Sequence, residues 1–342
     1  MIATPLESDL VDRIRSELTD LAVHYEPDLL PTPRYPGDHR GRAGFQRTPE
    51  GESHWQELLS GAAITFGIPG DEPQELRRLV RHAPSLRLVQ ATAAGAGQQV
   101  ETAGLSADDL ERVAVASSSG VHAGPLAEFA LFGVLAFARG APRLQRDRDA
   151  RRWDHYPTRD VAGRTIVILG VGAIGSRIAT LSKALGMYVV GVNHRGRGQA
   201  ESVDEYATAE QLPALAGRAD ILVITLPSTR ATIGMVDAAV LSCLPQDAIV
   251  VNVGRGNVID EPALIQLLAA GHLAGAALDV TNDEPPDATS PLWTLPNVIM
   301  SPHTAALSPH ENQRIVTLFI DNVSRILHGR PVLNRITGAR PY

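Results

Sequence analysis

The chain has 342 residues, of which 44% are hydrophobic and 20% are charged. This composition is typical of a globular protein and excludes a disordered one, and the length predicts two domains rather than a single core. A net charge of −7 at pH 7 gives no excess of positive charge for nucleic acid, so we expect no nucleic-acid partner.

The single cysteine, Cys243, excludes an internal disulfide and a cysteine metal cluster, and it fits a reducing compartment. The N-terminus carries Glu7, Asp9 and Asp12 and lacks the apolar region of a signal peptide. No run reaches the ~18 apolar residues that a spanning helix needs. The sequence therefore predicts a cytoplasmic protein without a membrane span or a metal site.

The N-terminal third predicts a mixture of helices and strands. Apolar residues at helical spacing predict a helix over 8–24. The segment 27–51 is rich in proline and glycine and predicts a long irregular stretch, which is either a functional lid or disordered. Short apolar runs and helical stretches then alternate at 62–66, 73–82 and 86–90, which favours a parallel sheet with covering helices.

The rest of the chain continues this alternation. The stretch 122–140 is apolar on nearly every face and predicts a helix that is buried between domains or between subunits. A charged stretch over 143–154 follows, and a helix over about 309–328 closes the chain. The predicted strands between them cover 165–170, 188–192, 220–226, 248–253, 275–280 and 298–301, with helices over 173–185 and 261–270.

A glycine-rich motif follows the strand predicted at 165–169 and opens a helix. The glycines allow a tight turn, close approach of the backbone to a pyrophosphate and close packing of the helix on the strand. The helix N-terminus would offer free N–H groups to the anion. Because a strand precedes the motif and a helix follows it, the motif predicts dinucleotide binding at Gly170, Gly172, Ala173, Ile174 and Gly175.

Three ionisable residues come a few positions after the ends of three predicted strands: Arg255, Glu284 and His303. In an open α/β sheet, ligands bind just outside the carboxyl ends of the strands. The sequence thus predicts a cation, a carboxylate and an imidazole in one crevice beside the nucleotide. Taken one at a time, they could be a solvated loop charge, a turn residue and a capping residue. Their joint position beside the nucleotide motif favours a catalytic site.

From about residue 86 to residue 335 the chain resembles the D-isomer-specific 2-hydroxyacid dehydrogenase family. The matching blocks are in the family's order and spacing, whereas the first 60 residues carry no such resemblance. The blocks lie at 170–175, 220–227, 252–256, 277–280 and 291–305. The resemblance implies hydride transfer between a nicotinamide cofactor and a small 2-keto acid or 2-hydroxy acid.

The resemblance also implies a role for each charged residue. His303 matches the acid/base that protonates the carbonyl oxygen, and Glu284 matches its partner, which favours the imidazolium. Arg255 matches the residue that binds the substrate carboxylate and polarises the carbonyl. The turn formed by Ala94, Gly95 and Ala96 matches a loop that holds the other side of the carboxylate, although on sequence alone a plain tight loop fits as well.

Further cofactor contacts are implied in the same way. Asp279 matches a position that contacts the nicotinamide amide. The complete implied set beyond the glycine motif is Asn193, His194, Arg195, Pro227, Val253, Gly254, Asp279, His303 and Ala305.

The chain departs from the family pattern before the glutamate. Thr281, Asn282 and Asp283 stand where the family often has an aromatic residue and Glu-Pro. We assign the acidic role to Glu284 rather than to Asp283 because Pro285 follows it, as the pattern requires.

A second departure concerns the cofactor. The nucleotide fingerprint has an acidic residue after its second strand, which accepts hydrogen bonds from the ribose 2′-hydroxyl of NAD. Here Asn193, His194 and Arg195 follow that strand, and Arg197 comes next but one. Arginines offer charge-assisted bonds to a 2′-phosphate. The sequence therefore predicts NADP(H), with NAD(H) as the alternative if Asn193 serves the hydroxyl.

We expect an α/β fold of two doubly wound parallel-sheet domains. A Rossmann dinucleotide-binding domain over 119–304 would be inserted in a flavodoxin-like substrate domain built from 1–118 and 305–342, with hinges at 117–120 and near Thr304. The apolar helix over 122–140 and the arm after it, which resembles the family's dimer arm, predict a homodimer. The alternative is that this helix is buried inside its own subunit.

The expected activity is reduction of a glyoxylate- or hydroxypyruvate-type 2-keto acid. Oxidation of a D-2-hydroxy acid of the phosphoglycerate type is one alternative. Another is a dinucleotide-sensing binding protein, like the corepressors that share this fold.

Overall fold

The computed structural model describes residues 1–337. They form two compact units: Met1–His122 together with the chain from Leu307 onward, and Ala123–Ala306. Each unit contains a parallel sheet with helices on both faces. The predicted α/β fold with two parallel sheets is confirmed. The units join at 122/123 and 306/307, where we had placed the boundaries at 118/119 and 304/305.

The elements are numbered in chain order. The strands are β1 (Ile64–Phe66), β2 (Leu88–Gln90), β3 (Ala114–Ala116), β4 (Thr165–Leu169), β5 (Tyr188–Val192), β6 (Glu205–Ala207), β7 (Ile221–Ile224), β8 (Ile249–Asn252), β9 (Gly275–Leu278) and β10 (Val298–Met300). The helices are α1 (Ser8–Glu17), α2 (Pro49–Ser60), α3 (Pro73–His82), α4 (Ala96–Ala103), α5 (Ala107–Arg112), α6 (Ala123–Ala138), α7 (Ala141–Asp149), α8 (Ala173–Ala184), α9 (Leu212–Ala216), α10 (Ala238–Cys243), α11 (Glu261–Ala269) and α12 (Glu311–Leu327).

The first unit is built on the parallel sheet β1-β2-β3. Ile2 adds a parallel bridge beside Phe66, and Arg335 adds an antiparallel bridge beside Ala116. Apolar side chains of α1 and α12 cover one face of this sheet, and those of α2, α3, α4 and α5 cover the other. On the first face Phe66 meets Phe319 edge to face, with 5.2 Å between the ring centroids.

The second unit contains a seven-stranded parallel sheet in the order β10-β9-β8-β7-β4-β5-β6. Successive residues of a strand point to opposite faces, so both faces of each central strand are apolar and buried. The strand order reverses between β4 and β7. Outside the carboxyl ends of these two strands lies the crevice where open α/β sheets bind ligands.

Helix α6 is the most apolar helix, but only part of its surface is buried. Its inner face packs on α8 and on strands β8 and β9, and Gly133 lies so close to the sheet that an added Cβ would come 2.3 Å from the Cβ of Ala277. On its outer face Phe132 remains 55% exposed. Within residues 1–337 no single helix is long and apolar enough to cross a membrane; α6 and α7, bent by 60°, reach that threshold only when taken together.

Several boundaries differ from the predicted ones. Helix α1 ends at Glu17, short of residue 24, because the chain turns after Leu18 and His24 accepts a hydrogen bond from the Ile2 N–H at 2.9 Å. The irregular segment ends at Thr48, since α2 begins at Pro49. No bounds were predicted for eight of the numbered elements: β3, β6, α2, α4, α5, α7, α9 and α10.

Candidate active site

The glycine-rich motif forms the turn between β4 and α8. Gly170 has a φ of +96°, which favours glycine, and Gly172 is the N-cap of α8. An added Cβ at Gly175 would lie 1.9 Å from the carbonyl oxygen of Gly170, so the helix reaches the strand only because this residue is glycine. At Gly172 an added Cβ would meet nothing within 4 Å, so the backbone there is open to a ligand.

This turn has the properties that a dinucleotide pyrophosphate requires. Ala173 and Ile174 form the first turn of α8, whose N–H groups have no partners within the helix. Thr225, which follows β7, donates its hydroxyl to the carbonyl oxygens of Leu169 at 3.0 Å and Gly170 at 2.7 Å. The turn is thereby fixed to the strand across the switch point. The residues present fit a dinucleotide.

The loop after β5 contains the basic residues that the sequence analysis singled out. The Asn193 amide lies within its own turn: Oδ1 accepts from the Arg195 N–H at 2.8 Å, and Nδ2 donates to the Arg197 carbonyl at 3.1 Å. Arg195 Nε donates to His194 Nε2 at 3.1 Å. Both arginines are exposed, and within residues 1–337 neither has a carboxylate partner.

Arg255 lies in the loop after β8, between two tightly packed glycines. An added Cβ at Gly254 would come 2.5 Å from the Leu226 carbonyl oxygen, and one at Gly256 would come 2.0 Å from that of Thr281. The loop is therefore packed between the loops that follow β7 and β9. Arg255 is half-buried, and its Nη1 donates to the Gly254 carbonyl at 2.7 Å.

Asn252, the last residue of β8, orients this loop. Its Oδ1 accepts from the Gly254 N–H at 3.0 Å, and its Nδ2 donates to the Arg255 carbonyl at 3.0 Å. The side chain is fully buried, so both bonds form away from water. Asn252 was not predicted as a site residue, although a polar residue at the end of an apolar strand is a usable signal.

His303 and Glu284 form a direct pair. His303 Nδ1 lies 2.7 Å from Glu284 Oε2, and the two side chains are 44% and 40% exposed. Of the two candidate carboxylates, the one beside the imidazole is that of Glu284. The backbone carbonyl of Asp283 accepts a hydrogen bond from the Thr281 hydroxyl at 2.7 Å.

Asp279 fixes the loop that carries His303. Its side chain is 2% exposed, and Oδ1 accepts from the Ser301 hydroxyl at 2.8 Å and from the Ala305 N–H at 2.9 Å. The Asp279 carbonyl accepts from the N–H of His303 at 3.0 Å. These bonds hold His303 at a φ of +56°, which is uncommon for a residue with a side chain. Ser301 is a second positioning residue that sequence reasoning missed.

The predicted residues of the second unit thus follow the carboxyl ends of adjacent parallel strands. Pro227 follows β7, Val253 and Gly254 follow β8, Asp279 follows β9, and Ala305 follows β10. A cation, a paired imidazole and the glycine-rich turn therefore share one edge of one sheet.

The remaining predicted residues lie in the first unit. Gly95 is the N-cap of α4, in the loop that follows β2. Ala96 therefore begins the helix, and its N–H has no partner within the helix. Ala94 is exposed and Ala96 is buried. Gln99, one turn further along α4, donates to the Asp71 carboxylate at 2.7 Å. The turn therefore offers backbone N–H groups from an anchored helix start.

Comparison with known proteins identifies the family. The model of the D-isomer specific 2-hydroxyacid dehydrogenase NAD binding domain matches residues 131–305. A glyoxylate reductase from Aeropyrum pernix is 31% identical over 265 residues, which cover 74% of this chain and 76% of the relative.

Solved structures agree with this match. A D-isomer specific 2-hydroxyacid dehydrogenase from Xanthobacter autotrophicus Py2, in complex with NADPH and MES, gives a TM-score of 0.76 at 28% identity and covers 100% of both chains. An NADPH-dependent glyoxylate/hydroxypyruvate reductase from Sinorhizobium meliloti, in complex with NADP and sulfate, gives 0.72 at 27% identity and covers 85% of this chain and 89% of that one. The protein therefore belongs to the D-isomer specific 2-hydroxyacid dehydrogenase family and is an NAD(P)-dependent oxidoreductase.

Proposed function

We propose that the protein reduces a small 2-keto acid of the glyoxylate or hydroxypyruvate kind to the 2-hydroxy acid. The observation that carries this proposal is the 2.7 Å pair between His303 and Glu284, on the same sheet edge as Arg255 and the glycine turn. Relatives named as glyoxylate or glyoxylate/hydroxypyruvate reductases support the substrate class.

His303 is the proton donor in this proposal. Its Nδ1 is bonded to Glu284, so Nε2 is the nitrogen left to face the substrate. During reduction the carbonyl oxygen gains negative charge, and the imidazolium donates the Nε2 proton to it. The neutral ring keeps its other proton on Nδ1, and this N–H remains hydrogen-bonded to Glu284 Oε2. The bond holds the imidazole in one tautomer and one orientation for the next cycle.

Arg255 holds the substrate. One of its N–H groups is bonded to the Gly254 carbonyl, and its other donors remain for the substrate carboxylate and the developing oxyanion. Backbone N–H groups of Ala94, Gly95 and Ala96 would bind the other side of the same carboxylate. In this assignment the first unit is the substrate domain, the second is the nucleotide domain, and the hinges lie near 117–120 and Thr304.

The residues that would hold the dinucleotide follow from the fit described above. Gly170, Gly172, Ala173, Ile174 and Gly175 would contact the pyrophosphate, and the loops after β7, β8, β9 and β10 would line the nicotinamide side. When bound, the reduced nicotinamide supplies the hydride that the chain itself lacks.

A panel of 2-keto acids tests the proposal. Purified protein with NADPH should consume glyoxylate and hydroxypyruvate faster than pyruvate, followed by the absorbance of the reduced cofactor. Turnover confined to oxidation of a phosphoglycerate would favour the alternative enzyme. Tight nucleotide binding with no turnover of any acid would favour a dinucleotide-sensing protein.

Exchange of Glu284 for Gln tests the imidazolium pair. Without the carboxylate the ring loses the group that fixes its orientation and stabilises its positive charge, so the reduction rate at neutral pH should fall by about tenfold. Asp283→Asn is the matched control and should leave the rate unchanged. The assignment is wrong if Asp283→Asn lowers the rate and Glu284→Gln does not.

We further propose that NADP(H) is preferred to NAD(H). Both polar atoms of the Asn193 amide already bond backbone groups of their own turn, so the amide is poorly placed to bond a ribose hydroxyl. Two exposed arginines without carboxylate partners lie in the same loop of the described chain, free to bind a 2′-phosphate. The relatives crystallised with NADPH or NADP add support.

Arg195→Ala should lower the ratio of kcat/KM with NADPH to kcat/KM with NADH by about tenfold, the effect of one lost charge-assisted bond. Arg164→Ala, at the opposite end of β4, is the control and should leave the ratio unchanged. A wild type that prefers NADH, or a ratio that Arg195→Ala does not move, would contradict this reading of the loop.

We propose that the protein forms a homodimer through the exposed apolar surface of the second unit. Phe132 on α6, Leu144 on α7 and Trp153 just beyond it are 55%, 53% and 92% exposed, an unusual density of large apolar side chains for a monomer surface. An isologous contact would bury all three on both copies. Light scattering at micromolar concentration should give twice the mass of one chain, and a monomer mass would contradict the proposal.

A cytoplasmic location stays a prediction, and it depends on the single cysteine.

A further inference from the structure

Three fully buried polar side chains meet at the carboxyl end of the sheet in the first unit. Gln90 is the last residue of β2, Ser118 follows β3, and Asn322 lies on α12; each is 0% exposed. Burial of a polar side chain costs free energy unless its hydrogen bonds are made inside the protein. Three of them in a core that is mostly apolar indicate a structural requirement at this place, and none of them belongs to the site described above.

The three side chains bond one another. Asn322 Nδ2 donates to Gln90 Oε1 at 2.8 Å, and Asn322 Oδ1 accepts from the Leu333 N–H at 2.8 Å. Gln90 Nε2 then donates to the Ala91 carbonyl at 3.1 Å and lies 3.4 Å from Ser118 Oγ. Because both ends of the two amides have partners inside the protein, the network is satisfied and has one orientation.

Ser118 holds the chain that leads from β2 into the turn 94–96. Its hydroxyl donates to the Ala91 carbonyl at 2.8 Å, and its N–H donates to the Ala93 carbonyl at 3.1 Å. The Ala91 carbonyl thus accepts from two buried side chains, those of Ser118 and Gln90. Both bonds of Ser118 end on the short stretch just before the turn that we propose binds the substrate carboxylate.

The bond to the Ala93 carbonyl fixes a group that the substrate would meet. A peptide unit is planar, and in a trans peptide the carbonyl of one residue and the N–H of the next point in opposite directions. The peptide between Ala93 and Ala94 is trans, so Ser118 sets the direction of the Ala94 N–H, away from itself. Ala94 is exposed, and its N–H donates to no group within residues 1–337. This N–H is therefore both oriented and available to a ligand.

We propose that Ser118 is a positioning residue for the substrate carboxylate. It touches no reacting group; it orients the Ala94 N–H through the Ala93 carbonyl, and its hydroxyl, supported by the two buried amides, keeps the end of β2 in place. This inference rests on the proposed function, because it takes the turn 94–96 as the carboxylate site. A purely structural role would change stability without changing the affinity for a carboxylate.

Ser118→Ala removes a single oxygen atom and tests this role on the full chain. Loss of the hydroxyl bond loosens the chain before the turn, so KM for glyoxylate should rise about fivefold, the effect of one neutral hydrogen bond. The kcat and the Kd of NADPH should stay within about twofold of the wild type. Calorimetry on protein saturated with NADPH should show the same loss of affinity for oxamate, an unreactive acid whose carboxylate is joined to a carbonyl group as in a 2-keto acid.

Two further variants separate positioning from stability. Gln90→Met keeps most of the side-chain volume but removes the second donor to the Ala91 carbonyl, so it should also weaken oxamate binding. Val113→Ala is the matched control, because Val113 is 0% exposed and lies just before β3, at the other end of that strand from Ser118. It should lower the denaturation midpoint at least as much as Ser118→Ala does, and leave KM and oxamate affinity unchanged.

Three results separate this inference from the proposed function. If the wild type reduces glyoxylate but Ser118→Ala has the KM and the oxamate affinity of Val113→Ala, the positioning role is overturned and the proposed function stands. If no 2-keto acid is reduced but Ser118→Ala weakens oxamate binding, the proposed function fails and the positioning role stands. If the wild type neither reduces a 2-keto acid nor binds oxamate, both are overturned.

Discussion

His303→Ala should lower the turnover of a 2-keto acid on the order of a hundredfold or more. Without the imidazolium, the oxygen that receives negative charge must take its proton from water, while the nucleotide still meets an intact glycine turn. Steady-state kinetics should therefore show the loss in kcat, and fluorescence titration with NADPH should show an almost unchanged Kd. Retention of more than a tenth of the wild-type kcat would show that another group is the acid.

Arg255→Ala should cost a similar factor, but the loss should differ in kind. Because Arg255 is proposed to bind the substrate carboxylate, KM should rise as well as kcat fall. Arg255→Lys should recover only part of the loss, since an ammonium cannot form the two parallel bonds of a guanidinium. A variant with normal KM would mean that the carboxylate is held elsewhere.

Gly175→Ala should be the most destabilising small change in the nucleotide turn. The added Cβ would lie 1.9 Å from the Gly170 carbonyl oxygen, so α8 must move away from β4. We expect a loss of about 3 kcal/mol in the free energy of unfolding, measured by denaturant titration, together with weakened NADPH binding.

Gly172→Ala is the matched control, because the same methyl group there meets nothing within 4 Å and the backbone has a negative φ. Stability should change by less than about 0.5 kcal/mol, whereas NADPH affinity should fall, since the methyl group occupies the space that the pyrophosphate needs. Equal stability of the two alanine variants would contradict the packing described here.

The fold could be predicted where a local pattern determined the element. Strand β5 and helix α3 have their predicted bounds, because apolar runs and periodic faces are local signals. Strands β3 and β6 were missed because three residues each, Ala114–Ala116 and Glu205–Ala207, become strands only through pairing with a distant neighbour.

The site residues that could be predicted are those that follow the end of a predicted strand. Arg255, Glu284 and His303 stood out because an ionisable residue after an apolar strand is unusual. Two side chains that fix the surrounding loops did not stand out. Thr225 bonds the glycine turn and Ser301 bonds Asp279, and both bonds depend on which strands are neighbours in the sheet. The hydrogen bonds from Arg34 and Gly41 to the Asp38 carboxylate, within the segment rich in proline and glycine, were not predicted either. Proline and glycine content indicates where regular structure ends, but it does not indicate which contacts replace it.

The division of the chain has a consequence for its biosynthesis. The second unit is one uninterrupted stretch, Ala123–Ala306, whereas the first unit needs α12, whose Ile315, Val316 and Phe319 complete the core on one face of its sheet. During translation the second unit therefore has all its residues before the first unit does, because the first unit needs α12. A stalled nascent chain in which a linker after residue 306 carries that residue out of the ribosome should already bind NADPH, while its first 122 residues remain a substrate for proteases and chaperones.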